Sequence, residues 1–232
     1  MRLCIIEGEK LVREHGANAV AVFYKKPPTP CGVPPLRKGE ELDEKIFRQV
    51  SNLETPEGVL AIVKIPANTE ITFPYLVLDG VQDPGNVGTL LRTASAFGFK
   101  TVFCINCADV WSQKVIRSAM GTQFGLNVFD LDHDEFAKIF SAHLASSKLM
   151  LATMPNSGAS PFGKGGVANG DGGFSNGGSF GIVLGSEGQG LSAQIRALPH
   201  EIVSIPMKSG VESLNVAVAG GILMYLMKGE GK

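Results

Sequence analysis

Three stretches of this 232-residue chain set polar side chains among glycines directly after apolar runs. They are LDGVQDPGNVGTLLRTASAFGF from Leu78, GIVLGSEGQGL from Gly181, and IPMKSGVESLNVAVAGGILMYL from Ile205. Open parallel sheets bind ligands outside the carboxyl ends of their strands, so polar residues at such ends are placed to meet a ligand. The first stretch offers Asn86 and Arg92, the second Glu187, the third Ser213 and Asn215. Arg92 follows Asn86 by six residues, about 9 Å along a helix axis, a gap that a long side chain spans. A guanidinium stays protonated, which suits it to hold a phosphate or a developing alkoxide more readily than to accept a proton. Glu187 is a candidate counter-ion for it. Asn86, Ser213 and Asn215 add hydrogen bonds, and Gly185 and Gly188 let backbone come close to a ligand because they lack a Cβ.

Each feature also has a structural reading. Asn86 fits the N-cap of a helix, Ser213 and Asn215 fit the start of another, and the glycines fit a turn. Arg92 with Glu187 also fits a plain ion pair.

Other chemistry finds less support. Cys104 and Cys107 have redox-motif spacing, but no second cysteine pair or nearby histidine completes a metal site, and they read as inert structural thiols. Gly158 to Lys164 fits part of a phosphate-binding loop, yet Gly165 stands where Ser or Thr must hold magnesium. Gly185, Gly188 and Gly190 do not have the dinucleotide spacing, and no acidic partner follows at the required distance. His15, His133, His143 and His200 fall outside the three stretches and show no ligand spacing, so they read as surface or helix residues with no metal.

The elements that must position these residues alternate. From Ile71 onward, strand-length apolar runs alternate with helical patterns, which predicts βα units around a parallel sheet. Strands are expected at TFPYLVLDG, TVFCIN, KLMLATM, FGIVLG and EIVSIP. Helices are expected from Asn86 to a stop at Gly98, from about Ser112 to Met120, from about His133 to Ser146, and from Ser213 to Lys228. The first part reads as a smaller α/β unit, with a helix near Glu7 to His15, a strand from Ala19, a helix near Glu41 to Val50 and a strand from Val59. The turn-rich stretch of about Pro66 to Pro74 separates the two, giving domains 1–70 and 71–232. Residues 155–179 are dominated by Gly, Asn and Ser, the composition of a mobile loop.

Composition narrows the class. At 44% apolar and 19% charged residues the chain has what a packed soluble interior needs. The purely apolar run Val216 to Met227 is shorter than the ~20 residues of a membrane span, and the first residues lack the pattern of a secretory signal, so a cytoplasmic location is expected. A net charge of −1 does not mark a nucleic-acid binder, although a local basic face is what counts.

Together and in this order the three stretches resemble the signature motifs of the SpoU (TrmH-like) family of RNA methyltransferases, within the SPOUT superfamily. The resemblance runs from about Leu78 to Leu226, rests on NVGTLLRTASAFGF, GSEGQGL and IPMKSGVESLN, and extends to IRSAMGTQF at Ile116 to Phe124. EGEKLVREH and NLETPEGVLAIVK are similar to the ribosomal-protein-like substrate-binding domain of such enzymes, shortened here. The resemblance implies a parallel-sheet domain closed by a C-terminal trefoil knot. It also implies a homodimer, and transfer of a methyl group from S-adenosylmethionine to a ribose 2′-hydroxyl of ribosomal or transfer RNA, with rRNA favoured. It implies Arg92 as catalytic residue beside Asn86, Glu187, Ser213 and Asn215. It implies a cofactor site at Thr153, Leu184, Gly185, Glu187, Gly188, Ile205, Met207, Ser213 and Leu214, and RNA contacts from Arg92 and Arg117. Two rivals remain: a non-catalytic RNA-binding protein of the same fold, and a metabolic enzyme using another nucleotide on an ordinary doubly wound sheet, which would need the glycine fingerprint the chain lacks.

Overall fold

The computed structural model describes residues 2–25, 39–51, 53–153, 179–208 and 213–227, so the Gly/Asn/Ser-rich stretch and the phosphate-loop look-alike within it lie outside the described residues. The chain forms two sheets.

The first is small and mixed. It holds β1 (Leu3–Glu7), α1 (Glu9–His15), β2 (Ala19–Tyr24), β3 (Glu40–Glu41), α2 (Glu44–Val50) and β4 (Val59–Lys64), with strand order β1-β4-β2-β3. β4 runs antiparallel to both β1 and β2. It reads VLAIVK, mostly buried, as expected of a strand flanked on both sides. Asp43 caps α2 by accepting from the Lys45 amide.

The second sheet is wholly parallel and carries the three polar stretches. It runs β5 (Tyr75–Asp79), α3 (Pro84–Ala96), β6 (Thr101–Ile105), α4 (Gln113–Ala119), β7 (Asn127–Leu131), α5 (His133–Ile139), β8 (Lys148–Thr153), β9 (Phe180–Gly185), α6 (Ala193–Arg196), β10 (Glu201–Ser204) and α7 (Val216–Met227). The strand order is β10-β8-β9-β5-β6-β7, with every pairing parallel. Tyr75 to Leu78, Val102 to Ile105 and Ile182 to Leu184 are buried almost completely, because helices cover both faces of central strands. The α/β class and the parallel sheet expected from Ile71 onward are present.

Local differences from the sequence expectation have physical causes. The N-cap of α3 is Asp83, whose side chain accepts the Asn86 amide at 2.8 Å, with Pro84 opening the helix. Asn86 sits inside the first turn, leaving its own side chain free for other partners. α3 stops as expected, with Gly98 at φ +82°. Helix α7 begins at Val216 rather than Ser213, because Asn215 Oδ1 accepts the amides of Ala217 and Val218 at 2.9 and 3.3 Å. α5 ends at Ile139 and passes into a π-helical turn, Phe140–Leu144. β1, β3, β7 and the four-residue α6 were not foreseen.

α3 and α4 meet closely. A Cβ on Gly88 would fall 2.3 Å from Ser118 Cβ and 2.8 Å from the Val115 carbonyl oxygen, so only glycine allows this crossing. Residues of the first sheet and α1 share one apolar cluster with β5, α3 and α4. His15 stacks on Phe124 across the two units, ring centroids 4.5 Å apart. Cys104 is buried in β6; Cys107 places its thiol 3.3 Å from the Leu78 carbonyl. No helix among the described residues is long and apolar enough to cross a membrane.

Candidate active site

A cleft of roughly 600 Å³ opens beyond the carboxyl ends of β8, β9 and β10. Thr153 ends β8, and Leu184 and Gly185 end β9. Glu187 and Gly188 belong to the turn that follows, Ile205 and Met207 to the segment after β10, and Ser213 and Leu214 to the approach to α7. All of these expected cofactor residues line the cleft. Val216 and Leu223 of α7, which belong to the third stretch, also line it, as does Arg196 of α6, which carried no sequence signal.

The turn after β9 is tightly made. Ser186 and Gly190 exchange backbone hydrogen bonds of 3.1 and 2.9 Å, and Gly190 takes φ +66°. A Cβ on Gly185 would lie 2.4 Å from both the carbonyl carbon and oxygen of Gly190. The second stretch is therefore a compact hairpin whose rim faces the cleft; Gly185 is required at the close backbone approach and Gly190 by its positive φ, whereas a Cβ on Gly188 would meet nothing within 4 Å.

The three polar stretches are joined side chain to side chain. Asn215 Nδ2 donates to Asn86 Oδ1 at 3.1 Å, and Asn86 Nδ2 donates to Glu187 Oε1. The Asn215 side-chain oxygen Oδ1 is meanwhile held by the Ala217 and Val218 amides, which fixes the direction in which its NH₂ points. Glu187, on an exposed turn, is thereby tied to the helix that opens the first stretch and to the one that ends the third.

Arg92 is not part of this chain. It is exposed on α3, does not line the cleft, and makes no ion pair with Glu187, whose carboxylate is taken up by Asn86. Six residues turn a helix through ~600°, so Arg92 emerges on a different side from Asn86 even though it is near along the axis. The expected Arg92–Glu187 counter-ion pair is not formed. The opposite side of α3 packs on α7: a Cβ on Gly220 would meet Leu90, and Phe97 contacts Tyr225 edge-on at 5.8 Å. Arg117 is half-buried on α4, away from the cleft lining, and its Nη1 is buried without a hydrogen-bond partner.

Other residues at the same edge went unread in the sequence. Asp79, at the end of β5, is 3% exposed and binds both His133 and the Ser192 amide. His133, expected as a surface or helix residue, opens α5 and is held by this acid. Nothing in the spacing of residues 79, 133 and 192 announces their meeting, because parallel strands bring distant segments together. Electrostatics mark the cysteines as well. Hydrogen bonding with Cys107, then burial, pushes the Cys104 thiol well above its ordinary range, while the same bond holds Cys107 below it.

Residues 74–225, more than half of the chain, match the family model described as the SpoU rRNA Methylase family. A zebrafish protein, rRNA methyltransferase 3A, mitochondrial, is 34% identical over 218 residues covering 75% of this chain; the chain spans 50% of that relative's length. The 23S rRNA (guanosine(2553)-2′-O)-methyltransferase RlmP of Bacillus subtilis is 31% identical across 97% of this chain and 88% of its own length. In three dimensions the chain is similar to the SpoU methyltransferase AviRb of Streptomyces viridochromogenes, solved in complex with AdoMet. The TM-score is 0.73 over 96% of this chain and 88% of that one, and at 23% identity this likeness shows the fold. The order of the three polar stretches, the cleft they enclose and the match over residues 74–225 place the chain in the SpoU rRNA methylase family.

Proposed function

We propose that this protein transfers a methyl group from S-adenosylmethionine to a ribose 2′-hydroxyl of RNA, with ribosomal RNA as the favoured substrate. Membership of the family supports a methyltransferase, and the AdoMet bound by the similarly folded AviRb supports S-adenosylmethionine as its cofactor. The ribose oxygen and the ribosomal substrate are carried over from the bacterial relative's name. The observation that carries the reading is the hydrogen-bonded chain Asn215–Asn86–Glu187, which reaches the cleft through Glu187. It makes three distant polar stretches one unit at the sheet edge where ligands bind.

The residues present fit the cofactor. The cleft has the size of a small-molecule site, and Leu184, Ile205, Met207 and Leu214 offer an apolar wall for an adenine ring. The Gly185–Gly190 contact lets main chain approach the ligand, while Thr153, Ser213 and Glu187 supply polar groups for ribose and methionine. When bound, the sulfonium supplies an electrophilic methyl carbon. The chain's own work is then to hold the acceptor ribose in line with that carbon and to stabilise the oxygen as its proton leaves. Arg92, cationic and exposed, supplies a phosphate or alkoxide contact from α3. Arg117, half-buried on α4, is the second candidate for RNA phosphate.

Three architectural readings go with this. Residues 1–70 form an RNA substrate-binding domain and 71–232 the methyltransferase domain. β10 lies at the sheet edge beyond β8, yet α7, which follows it, packs back on α3 and β9. This return supports threading of the C-terminal segment into a trefoil knot. Val218, Gly221, Ile222 and Tyr225 recur at helical spacing on α7, with Val218 and Tyr225 more than half exposed, an apolar stripe that supports a homodimer.

The test is incubation with labelled S-adenosylmethionine and unmodified ribosomal or transfer RNA, followed by digestion to nucleosides. Label on a 2′-O-methyl nucleoside, reduced in Arg92→Ala by roughly 10²-fold or more, is the expected result for loss of a positioned charged group. Cofactor binding with no transfer to either RNA would favour a non-catalytic RNA-binding protein.

A further inference from the structure

Beyond the cleft lining, the carboxyl edge of the large sheet carries a second polar chain. Asp79 closes β5, the central strand, and both of its carboxylate oxygens are occupied. Oδ1 lies 2.8 Å from His133 Nε2, and Oδ2 accepts the Ser192 amide at 2.6 Å. The other ring nitrogen, His133 Nδ1, is 3.0 Å from Asn106 Nδ2. Asn106 follows β6 in a left-handed conformation, φ +48°, and its carbonyl accepts from Gln82 at 2.5 Å. With the Asn106 amide donating to Nδ1, the ring carries its proton on Nε2 and donates to Asp79, so every group in the chain has a partner of the right kind. A carboxylate this buried would be costly without them.

The position of Asp79 gives the chain its meaning. By backbone pairing of β5 with β9, Asp79 lies opposite Gly185, the residue at which the chain enters the Ser186–Gly190 turn. By its side chain it holds Ser192, directly after that turn and at the N-cap of α6, where Ser192 Oγ accepts the Ile195 amide. One residue therefore grips both ends of the segment that presents Glu187 and Gly188 to the cleft. His133, at the first position of α5, fixes the rotamer of the acid, and Asn106 fixes the ring.

We propose that Asp79, oriented by His133 and Asn106, is a positioning residue that sets the shape of the turn at 186–191 for the cofactor, so that this strand-end relay governs cofactor affinity and not the transfer step. The inference rests on the cleft being the S-adenosylmethionine site. It assigns a role to side chains on the far side of β5 from the cleft and ties the α5 end of the sheet to cofactor capture.

The experiment measures the Kd for S-adenosylmethionine by calorimetry, and kcat at saturating cofactor, in the full chain and in His133→Ala, His133→Gln and Asn106→Ala. Removing one hydrogen bond to a buried carboxylate in His133→Ala is expected to raise Kd about tenfold with kcat within about twofold. His133→Gln, which keeps an N–H donor toward Asp79, is expected to restore Kd to within about threefold of the unaltered chain. Asn106→Ala, at the solvent end of the relay, is expected to raise Kd about threefold, which keeps the proposal testable if His133→Ala does not fold. An unchanged Kd in the folded variants overturns the proposal. So does a fall in kcat at constant Kd, or an equal rise in Kd for Ala and Gln. Absence of cofactor binding by the unaltered protein would overturn the assignment of the cleft itself, and the relay's role with it.

Discussion

Gly185 stands where β9 turns into the hairpin, with the Gly190 carbonyl 2.4 Å from where a side chain would begin and the Leu191 amide nitrogen at 2.7 Å. These are main-chain atoms of a bridged turn and cannot step aside as a flexible side chain would. Gly185→Ala is therefore expected to displace the turn and weaken S-adenosylmethionine binding by about 10- to 100-fold, the effect of ~1–3 kcal/mol of overpacking, while the folded far-ultraviolet spectrum is retained. Calorimetric titration checks it; an unchanged Kd would show that the turn has room. The glycine itself was legible in the sequence as a point of close approach, whereas the group it approaches was not. Arg92 shows the reverse: its type and motif position were readable, but its separation from Glu187 follows from the helix rotation between residues 86 and 92 and from Asn86 occupying the carboxylate.

Helix α3 is the element on which the site depends, since its first turn carries Asn86 and one side packs on α7. Asp83 accepts the Asn86 amide and so ties the helix start to the orientation of the site asparagine. Asp83→Ala is expected to lower stability by about 1 kcal/mol, measured by urea unfolding, and to raise the cofactor Kd as Asn86 loosens. Gly88→Ala lies on the same helix where it meets α4, and the contacts at 2.3 and 2.8 Å are expected to cost about 1–3 kcal/mol without touching the cleft. The long helices and central strands were legible because their apolar residues recur over many positions and glycine or proline marks their ends. β7 was not, because it is an edge strand in which Val128 alone is fully buried, so it carries no apolar run, and α6 was not, because four residues make barely one helical turn. The cap of α3 fell three residues from where Asn86 suggested, since Asp83 before a proline competes for the same role and only the backbone decides between them.

At the scale of the whole molecule, the two sheets meet through His15, stacked on Phe124. Burial lowers the His15 pKa from its ordinary 6.5, and the Glu14 carboxylate, 4.0 Å away, opposes this without overcoming it. The unfolded chain therefore takes up a proton at a pH where the folded one stays neutral. This contribution to stability is complete above the unfolded value and is lost as pH falls through it toward the folded one. Thermal unfolding between pH 7.5 and 5 is expected to show a decline in the unaltered chain that is smaller in His15→Gln, and equal slopes would contradict the assignment. The apolar stripe on α7 makes a second prediction at this scale. Val218→Lys or Tyr225→Lys is expected to convert a dimer to monomer in analytical ultracentrifugation, because a charge must then be buried in the contact. A monomeric unaltered chain would remove the dimer from the reading.

The alternation of strands and helices from Ile71 onward, the parallel sheet that alternation implies, and the polar stretches at strand ends are all legible along the chain. These are properties of neighbours along the chain: periodicity, turn residues and propensity. The tertiary structure decided which polar groups meet. It joined Asn215 to Asn86 and Asn86 to Glu187, kept Arg92 apart from Glu187, and buried Asp79 between His133 and Ser192. The strand order β10-β8-β9-β5-β6-β7 sets β9 between β8, the strand before it in the chain, and β5, which lies four strands earlier. Partners separated by as many as 129 residues are thereby brought within hydrogen-bond distance, and no local pattern encodes such pairings because they arise only when the sheet has closed.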